Sequence, residues 1–247
     1  MAGIIELDNV SFTAEGTLIV KNFTYSFEEG KTTAIVGPSG SGKSTVLKLA
    51  AGILVPTEGE VRFRGNDVLA MNRQENLDFR REASMVFQDA ALWANQNLDQ
   101  ILDLPLLTHF PEMPTGERKK RINEVLGQVG YRRALSALNI RPSALSMGEQ
   151  KLIAFARALL CRPKLLFLDE WTESLDDAAA NRAAQIVRLH RQDGNSVIFV
   201  SHDFRFVKGL ADYIVMIVGG AFSSVYSHAQ IENDEDLANR IENGITS

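Results

Sequence analysis

The chain has 247 residues, of which 45% are hydrophobic, enough for one sizeable α/β domain with a subdomain. A formal net charge of -5 argues against a general nucleic-acid-binding face, which would have to be basic. The single cysteine, Cys161, excludes an internal disulfide and a cysteine-based zinc site, and a buried, small apolar role is the ordinary expectation for it.

Met1 to Asp8 carries no basic stretch and no long apolar stretch, so it does not read as a secretory signal. No apolar run approaches the roughly 18 residues that a membrane-spanning helix needs. The expected location is cytoplasmic, with any work at a membrane depending on a partner.

In chain order, Ile4 to Phe27 predicts two or three β segments. Asn9-Val10-Ser11-Phe12 and Asn22 to Phe27 alternate polar and apolar residues, the pattern of antiparallel strands with one wet face. Thr32-Thr33-Ala34-Ile35-Val36 reads as a buried strand ending at Gly37. A helix is expected from about Lys43 through Ala50. Val61-Arg62-Phe63 predicts a short strand before a turn at Gly65-Asn66-Asp67, and Ala83 to Phe87 predicts another.

From about Ala90 to Arg141 the buried β-branched runs disappear. Leu98, Ile101 and Leu102 take helical spacing, as do Ile122, Val125, Leu126 and Val129. This predicts a helical subdomain over about 90–145, inserted into a core formed by 1–89 and 146–247. A helix from Gly148 to Leu160, a strand at Leu165 to Leu168, a helix from Ala178 to Gln192 and a strand at Ser196 to Val200 follow. Asp212 to Val218 and Ala221 to Tyr226 complete the strands, and the acidic tail from Ile231 to Ser247 reads as a short helix. Strands alternating with helices imply a parallel sheet covered on both faces.

Gly37-Pro38-Ser39-Gly40-Ser41-Gly42-Lys43-Ser44 fits G-x-x-x-x-G-K-[ST] in full and lies between a strand and a helix. Such a loop brings backbone N–H groups close to phosphate oxygens, and the helix N-terminus adds its own unpaired N–H groups. Gly37 to Thr45 is therefore the candidate ATP-binding segment. Lys43 is placed for the β and γ phosphates and the Ser44 hydroxyl for Mg²⁺. A metal-bound phosphate also needs a carboxylate. Leu165-Leu166-Phe167-Leu168-Asp169-Glu170 supplies two acids at the carboxyl end of a buried strand, where ligands of parallel sheets bind. Asp169 is the candidate metal ligand. Glu170 is the candidate general base that takes a proton from the attacking water.

With these motifs in this order, the chain resembles the nucleotide-binding subunits of ABC transporters over nearly its whole length. The implied fold is a P-loop NTPase parallel-sheet core with an N-terminal antiparallel β subdomain and an inserted helical subdomain. Gln88 looks like the family's Q-loop glutamine, which contacts Mg²⁺ and senses the membrane partner. Leu145-Ser146-Met147-Gly148-Glu149 looks like the signature loop, which in the family caps the ATP of a second subunit. Ser174-Leu175-Asp176 resembles the D-loop, and His202 the H-loop histidine that contacts the γ-phosphate. The resemblance implies ATP hydrolysis by a pair of nucleotide domains, a copy or a paralogue, docked on a transmembrane permease at the inner face of the membrane, with no nucleic acid. Leu145 to Glu149 is also readable as an ordinary helix cap with Ser146 as the cap.

Four positions depart from the family pattern. Met147 stands where the signature has its first glycine, Glu149 where glutamine is usual, and Leu152 where a basic residue is frequent. Trp171 follows the catalytic glutamate in place of proline. The aromatic that stacks on adenine in the family falls by spacing on Ala14, with Phe12 two residues earlier, so stacking here is expected to be weak.

The segment Phe87 to Trp93, followed by Leu104-Pro105-Leu106, is similar to Mla-type ATPases of bacterial lipid trafficking, and Asp89 to Ala94 together with Ile101 to Leu107 is the expected docking surface for the membrane partner. Two other readings stand beside the transporter motor. One is a soluble non-transport ABC ATPase, such as the iron–sulfur assembly type. The other is a hydrolysis-poor subunit of an asymmetric pair, which Met147 motivates and Glu170 opposes.

Overall fold

The computed structural model of the chain describes residues 3–131 and 138–246. Met1, Ala2 and Ser247, and residues 132–137 of the expected helical subdomain, lie outside the described residues.

The N-terminal segment forms two long strands, β1 (Gly3–Ala14) and β2 (Thr17–Glu28), paired as a hairpin. With β4 (Glu58–Phe63) and β5 (Asn66–Asp67) they make an antiparallel sheet in the order β2-β1-β4-β5. The expected turn at Gly65-Asn66-Asp67 thus carries a two-residue strand that pairs back on Arg62 and Phe63.

The second sheet has the order β10-β9-β3-β8-β7-β6, built from β3 (Thr32–Val36), β6 (Ala83–Val86), β7 (Leu165–Asp169), β8 (Ser196–Val200), β9 (Tyr213–Val218) and β10 (Ala221–Ser227). All its pairings are parallel except that of β9 with β10 at the edge. Every residue of β3, β7 and β8 is buried, so these strands show no alternation of wet and dry positions.

The period-2 alternation of a strand still sorts their side chains between two cores. Ile35, Leu165, Phe167, Ile198 and Val200 pack with α1 (Lys43–Ala50) and the β1–β2 hairpin. Ala34, Val36, Leu166, Leu168, Val197 and Phe199 pack with the helices on the other face. Those are α3 (Leu98–His109), α4 (Thr115–Val129), α5 (Met147–Leu159), α6 (Asp177–Gln192) and α7 (Phe204–Leu210).

Sequence periodicity misses α2 (Arg73–Glu82) and α7. Only Phe79 of α2 is buried, so no apolar stripe announces it, although Asn72 and Glu75 form a capping box at its start. The C-terminal tail is two helices rather than one, α8 (His228–Asn233) and α9 (Glu235–Thr246). Ile231, Leu237, Ala238 and Ile241 anchor them on the larger core.

Trp171 has a clear packing role. It is fully buried, stacks on Phe155 of α5 and meets Phe199 of β8 and Phe206 of α7 edge-on or tilted. An aromatic cluster fills the space that a proline would leave. Cys161 is half-buried, not fully buried as expected, with its thiol facing the Pro105 carbonyl at 3.8 Å. Burial pushes that thiol's pKa up to about 11, which keeps it inert near neutrality. No helix among the described residues is long and apolar enough to cross a membrane.

Candidate nucleotide site

The loop Gly37 to Gly42 joins the carboxyl end of β3 to α1. Its glycines are placed by sterics. A side chain at Gly37 (φ 150°) would lie 2.1 Å from the Ile217 carbonyl oxygen. Gly42 caps α1 in the left-handed region at φ 93°, with no side-chain hydrogen bond to the helix. The first N–H groups of α1 are thus left without a side-chain acceptor, the condition for an anion site at a helix start.

Lys43 is buried, and its ammonium donates to the Gly37 and Pro38 carbonyls at 2.9 and 2.8 Å. Burial lowers its pKa, while Glu170 and Asp169 act in the opposite sense. Ser44 Oγ donates to Asp169 Oδ1 at 2.7 Å across the gap between α1 and β7. Asp169 is fully buried, and its other oxygen has no hydrogen-bond partner, the nearest cation being Lys48 Nζ at 3.7 Å. Ser41 Oγ is likewise buried and unpaired.

These oxygens suit a hard divalent cation. Mg²⁺ is held by one or two protein oxygens together with substrate phosphates, not by an all-protein cage. In keeping with that, no group of three or more His, Cys, Asp or Glu side chains able to hold a metal occurs among the described residues. Ser44 and Asp169 are therefore a fitting pair. Lys48, one helical turn after Ser44, was missed by sequence reasoning, although the i,i+4 spacing could have found it.

Glu170 adopts a left-handed backbone conformation (φ 43°), which costs about 1–3 kcal/mol for a non-glycine residue and is a recurrent feature of functional sites. Its N–H donates to the Val200 carbonyl at 3.1 Å, tying the end of β7 to β8. The carboxylate lies 3.0 Å from His202 Nε2 and accepts from the His202 N–H at 3.3 Å. Burial raises the pKa of the Glu170 carboxyl, and His202 opposes that rise. A cleft of about 710 Å³ opens beside the pair, with Gln88, Glu173 and Arg205 among its walls. The side chain of Gln88 donates to Glu173 Oε2 at 3.0 Å, so Gln88 is linked to the segment that follows Glu170.

The signature residues occupy a different place. Ser146 caps α5, accepting from the Glu149 N–H at 3.2 Å, while Glu149 Oε2 accepts from the Ser146 N–H at 2.9 Å. This is a full capping box, so Glu149 has a local role that a carboxylate fills well. Ser146 and Met147 are exposed, Met147 by 58%. A side chain at Gly148 would come within 2.9 Å of the Ser174 carbonyl, so the turn at Ser146 to Glu149 lies close against Ser174. Asp176 is an N-cap too, accepting from Ala179 N–H at 2.7 Å.

Ala14 ends β1 opposite Thr17, and the strand register shifts between Phe12 and Thr13. Phe12 packs against the smaller core, so its ring is committed there. Leu152 is half-buried on the larger core. The basic residue missing at that position sits one place earlier, at Lys151, which sequence reasoning passed over.

A family profile described as "ABC transporter" matches residues 20–173. The chain is 33% identical over 205 residues to the nickel import ATP-binding protein NikE of Shigella flexneri serotype 5b (strain 8401), covering 82% of this chain and 75% of that protein. It is 32% identical to NikE of Brucella suis biovar 1 (strain 1330) over 226 residues, 90% of this chain and 84% of the relative. Among solved structures, the dimeric post-hydrolysis state of the ATP-binding cassette MJ0796 bound to ADP and Pi superposes with a TM-score of 0.81 at 29% identity. It covers 91% of this chain and 98% of that one.

Proposed function

The chain belongs to the ABC transporter family and is an ATPase of that type, and on that premise we propose that two copies of it sandwich two molecules of Mg-ATP and drive cargo through a separate membrane subunit. The observation that carries this reading is the convergence of Lys43, Ser44, Asp169, Glu170 and His202 at the carboxyl ends of β3, β7 and β8.

In this reading ATP phosphates take over the Lys43 ammonium from the Gly37 and Pro38 carbonyls it now holds. Backbone N–H groups of Gly37 to Thr45 line the phosphate chain. Ser44 and Asp169 would hold Mg²⁺, and Gln88, in the segment after β6, is the residue that would join them. When bound, the metal neutralises charge that develops on the transferring phosphoryl group. Glu170 accepts the proton of the attacking water, and burial makes its carboxylate a stronger base for that purpose. His202 orients the Glu170 carboxylate and faces the γ-phosphate.

The chain has a complete P-loop, a catalytic glutamate and the signature residues Ser146 and Gly148. A two-fold pair of identical chains needs both halves on one protomer, so a homodimer suffices. The exposed turn at Ser146, Met147, Gly148 and Glu149 closes over the partner's ATP, with Asp176 beside it.

A groove of about 560 Å³ lies beside the edge strand β6 and α3, with Phe87, Ala91, Trp93, Leu104 and Pro105 in its wall. Trp93 and Leu104 are exposed large apolar residues, as a docking surface for a membrane partner would have. This groove favours the transporter motor over a non-transport ATPase. It would place the subunit on the inner face of the membrane. Import of a small solute is the cargo reading that the nickel-import relatives support. Lipid trafficking rests on Phe87 to Trp93 and Leu104-Pro105-Leu106, which contribute to this one groove.

Steady-state ATP hydrolysis by wild type and Glu170→Gln tests the motor. A general base contributes about 10²–10⁴-fold, so the variant should fall by that order. Equal rates near background would contradict the reading. Copurification of a multi-span membrane subunit tests the transport half, and recovery of the chain alone from gently solubilised membranes would count against it.

A further inference from the structure

Lys151 lies on the first turns of α5, and it is buried to 3% exposure with its ammonium turned away from solvent. The amine donates to three backbone carbonyls: Gln88 at 2.5 Å, Phe87 at 3.1 Å and Glu170 at 3.4 Å. Two belong to the Q-loop segment after β6 and the third to the residue proposed as the general base. A buried lysine normally needs a carboxylate partner or loses its charge. Here three carbonyl dipoles serve in place of a direct ion pair, and they come from two separate segments, the one after β6 and the end of β7.

A second contact supports the same link. Arg157, further along α5, donates to the Ala91 and Ala90 carbonyls at 2.7 and 3.2 Å. Ala90 and Ala91 both lie in the left-handed region, at φ 63° and 45°. The signature helix thus grips the Q-loop segment from Phe87 to Ala91 at two points, and only Lys151 reaches beyond it to Glu170.

We propose that Lys151 is a positioning residue: it fixes the spacing between the Q-loop backbone and the backbone of Glu170, so that a shift of the partner-facing segment moves the catalytic carboxylate. This rests on Glu170 being the general base. The Glu170 backbone already sits at positive φ, held by the Val200 carbonyl on its amide and by Lys151 on its carbonyl. Release of one tether lets it relax toward ordinary geometry and carries the carboxylate off line. A misplacement of about 1 Å can cost roughly 10²-fold in rate.

The experiment compares wild type, Lys151→Met, Lys151→Gln and Glu170→Gln as full-length subunit, by ATP turnover, ATP affinity and thermal unfolding. Lys151→Met is expected to lower kcat about tenfold or more while the ATP affinity stays within about twofold of wild type. Lys151→Gln, which keeps two N–H donors without the charge, should recover part of the loss. In the Glu170→Gln background, Lys151→Met should lower single-turnover hydrolysis no further, since the two act through one group.

Wild-type turnover by Lys151→Met, with Glu170→Gln inactive, overturns the inference alone. So does an additional tenfold loss in the Glu170→Gln background. If Glu170→Gln hydrolyses like wild type, the base assignment falls and the inference with it. Should Lys151→Met fail to fold, Lys151→Gln carries the test, and its rate must lie below wild type at unchanged ATP affinity.

Discussion

The two ends of the parallel sheet treat polar groups differently. At the amino end they pair with one another. The Gly30 N–H donates to Ser196 Oγ at 2.8 Å, and the Thr32 N–H to Asp212 Oδ2 at 2.8 Å. Arg191 closes on Asp212 and the Lys164 N–H on the Glu82 carbonyl. At the carboxyl end the same kinds of group are left open: Asp169 Oδ2 and Ser41 Oγ are buried without hydrogen-bond partners, and the Lys43 ammonium donates only to loop carbonyls.

Missing partners alone do not mark a site, because Thr32 Oγ1 and His190 Nε2 at the amino end are unpaired as well. The difference lies in the chemistry of the unpaired groups. Burial pushes the His190 imidazole down to about 4, so it stays neutral near pH 7 and costs only a lost hydrogen bond. The open group at the carboxyl end is a buried carboxylate oxygen whose nearest cation, the partly exposed Lys48, stands 3.7 Å away, too far for a hydrogen bond. Leaving it without a strong partner is expensive unless a ligand completes it.

The largest effect that separates the two ends should come from Lys43→Ala. Loss of a cation aimed at developing phosphate charge is expected to lower turnover about 10²–10³-fold. Thermal stability should hold or rise, because the amine's burial is a cost without ATP. A large fall in unfolding temperature would mean that Lys43 is structural, like the amino-end groups.

His190 gives the converse test by stability alone. The unfolded chain takes up a proton near pH 6.5, whereas the folded chain resists it until about 4. Protons then favour the unfolded state, so His190 contributes stability above pH 6.5 that is lost as pH falls toward 4. The slope is up to about 1.4 kcal/mol per pH unit. Denaturant titrations of His190→Phe between pH 7 and 4 should show a flatter profile than wild type. Parallel profiles would contradict the neutral, buried imidazole. ATP turnover at pH 7.5 should change little.

The smallest effect is expected at Met147, on the exposed turn that we propose closes over a partner's ATP. Met147→Gly should raise turnover about threefold, worth roughly 0.6 kcal/mol of barrier. An unchanged or lower rate would show that the thioether side chain does not crowd the closed site.

Much of this contrast is legible in the residue order. The run Thr32 to Val36 into Gly37, and Leu165 to Leu168 into Asp169-Glu170, announce both the strands and the end at which chemistry collects. What stays hidden depends on three-dimensional neighbours. Lys151 reads as one more charged helix residue, and only the approach of α5 to the segment after β6 and to the end of β7 gives it three acceptors. Trp171 reads as a missing proline until Phe155, Phe199 and Phe206 are seen around it. Glu149 reads as a signature defect, yet the S-x-x-E spacing from Ser146 is itself a capping-box signal. Helix α2 is hidden because Phe79 is its only buried residue, which leaves no apolar stripe to read.

The central claim is that Gly37 to Thr45 forms half of a site that a second copy completes with Ser146 and Gly148. Complementation between two inactive chains tests it most directly. Lys43→Ala loses the P-loop function and Ser146→Arg the capping function, and each alone should hydrolyse ATP near background. Mixed in equal amounts, half the dimers hold one intact site, so turnover should return to roughly a quarter of wild type if the sites fire independently. A mixture no more active than its separate components, with mixed dimers demonstrated by differential tags, would contradict a site shared between two copies.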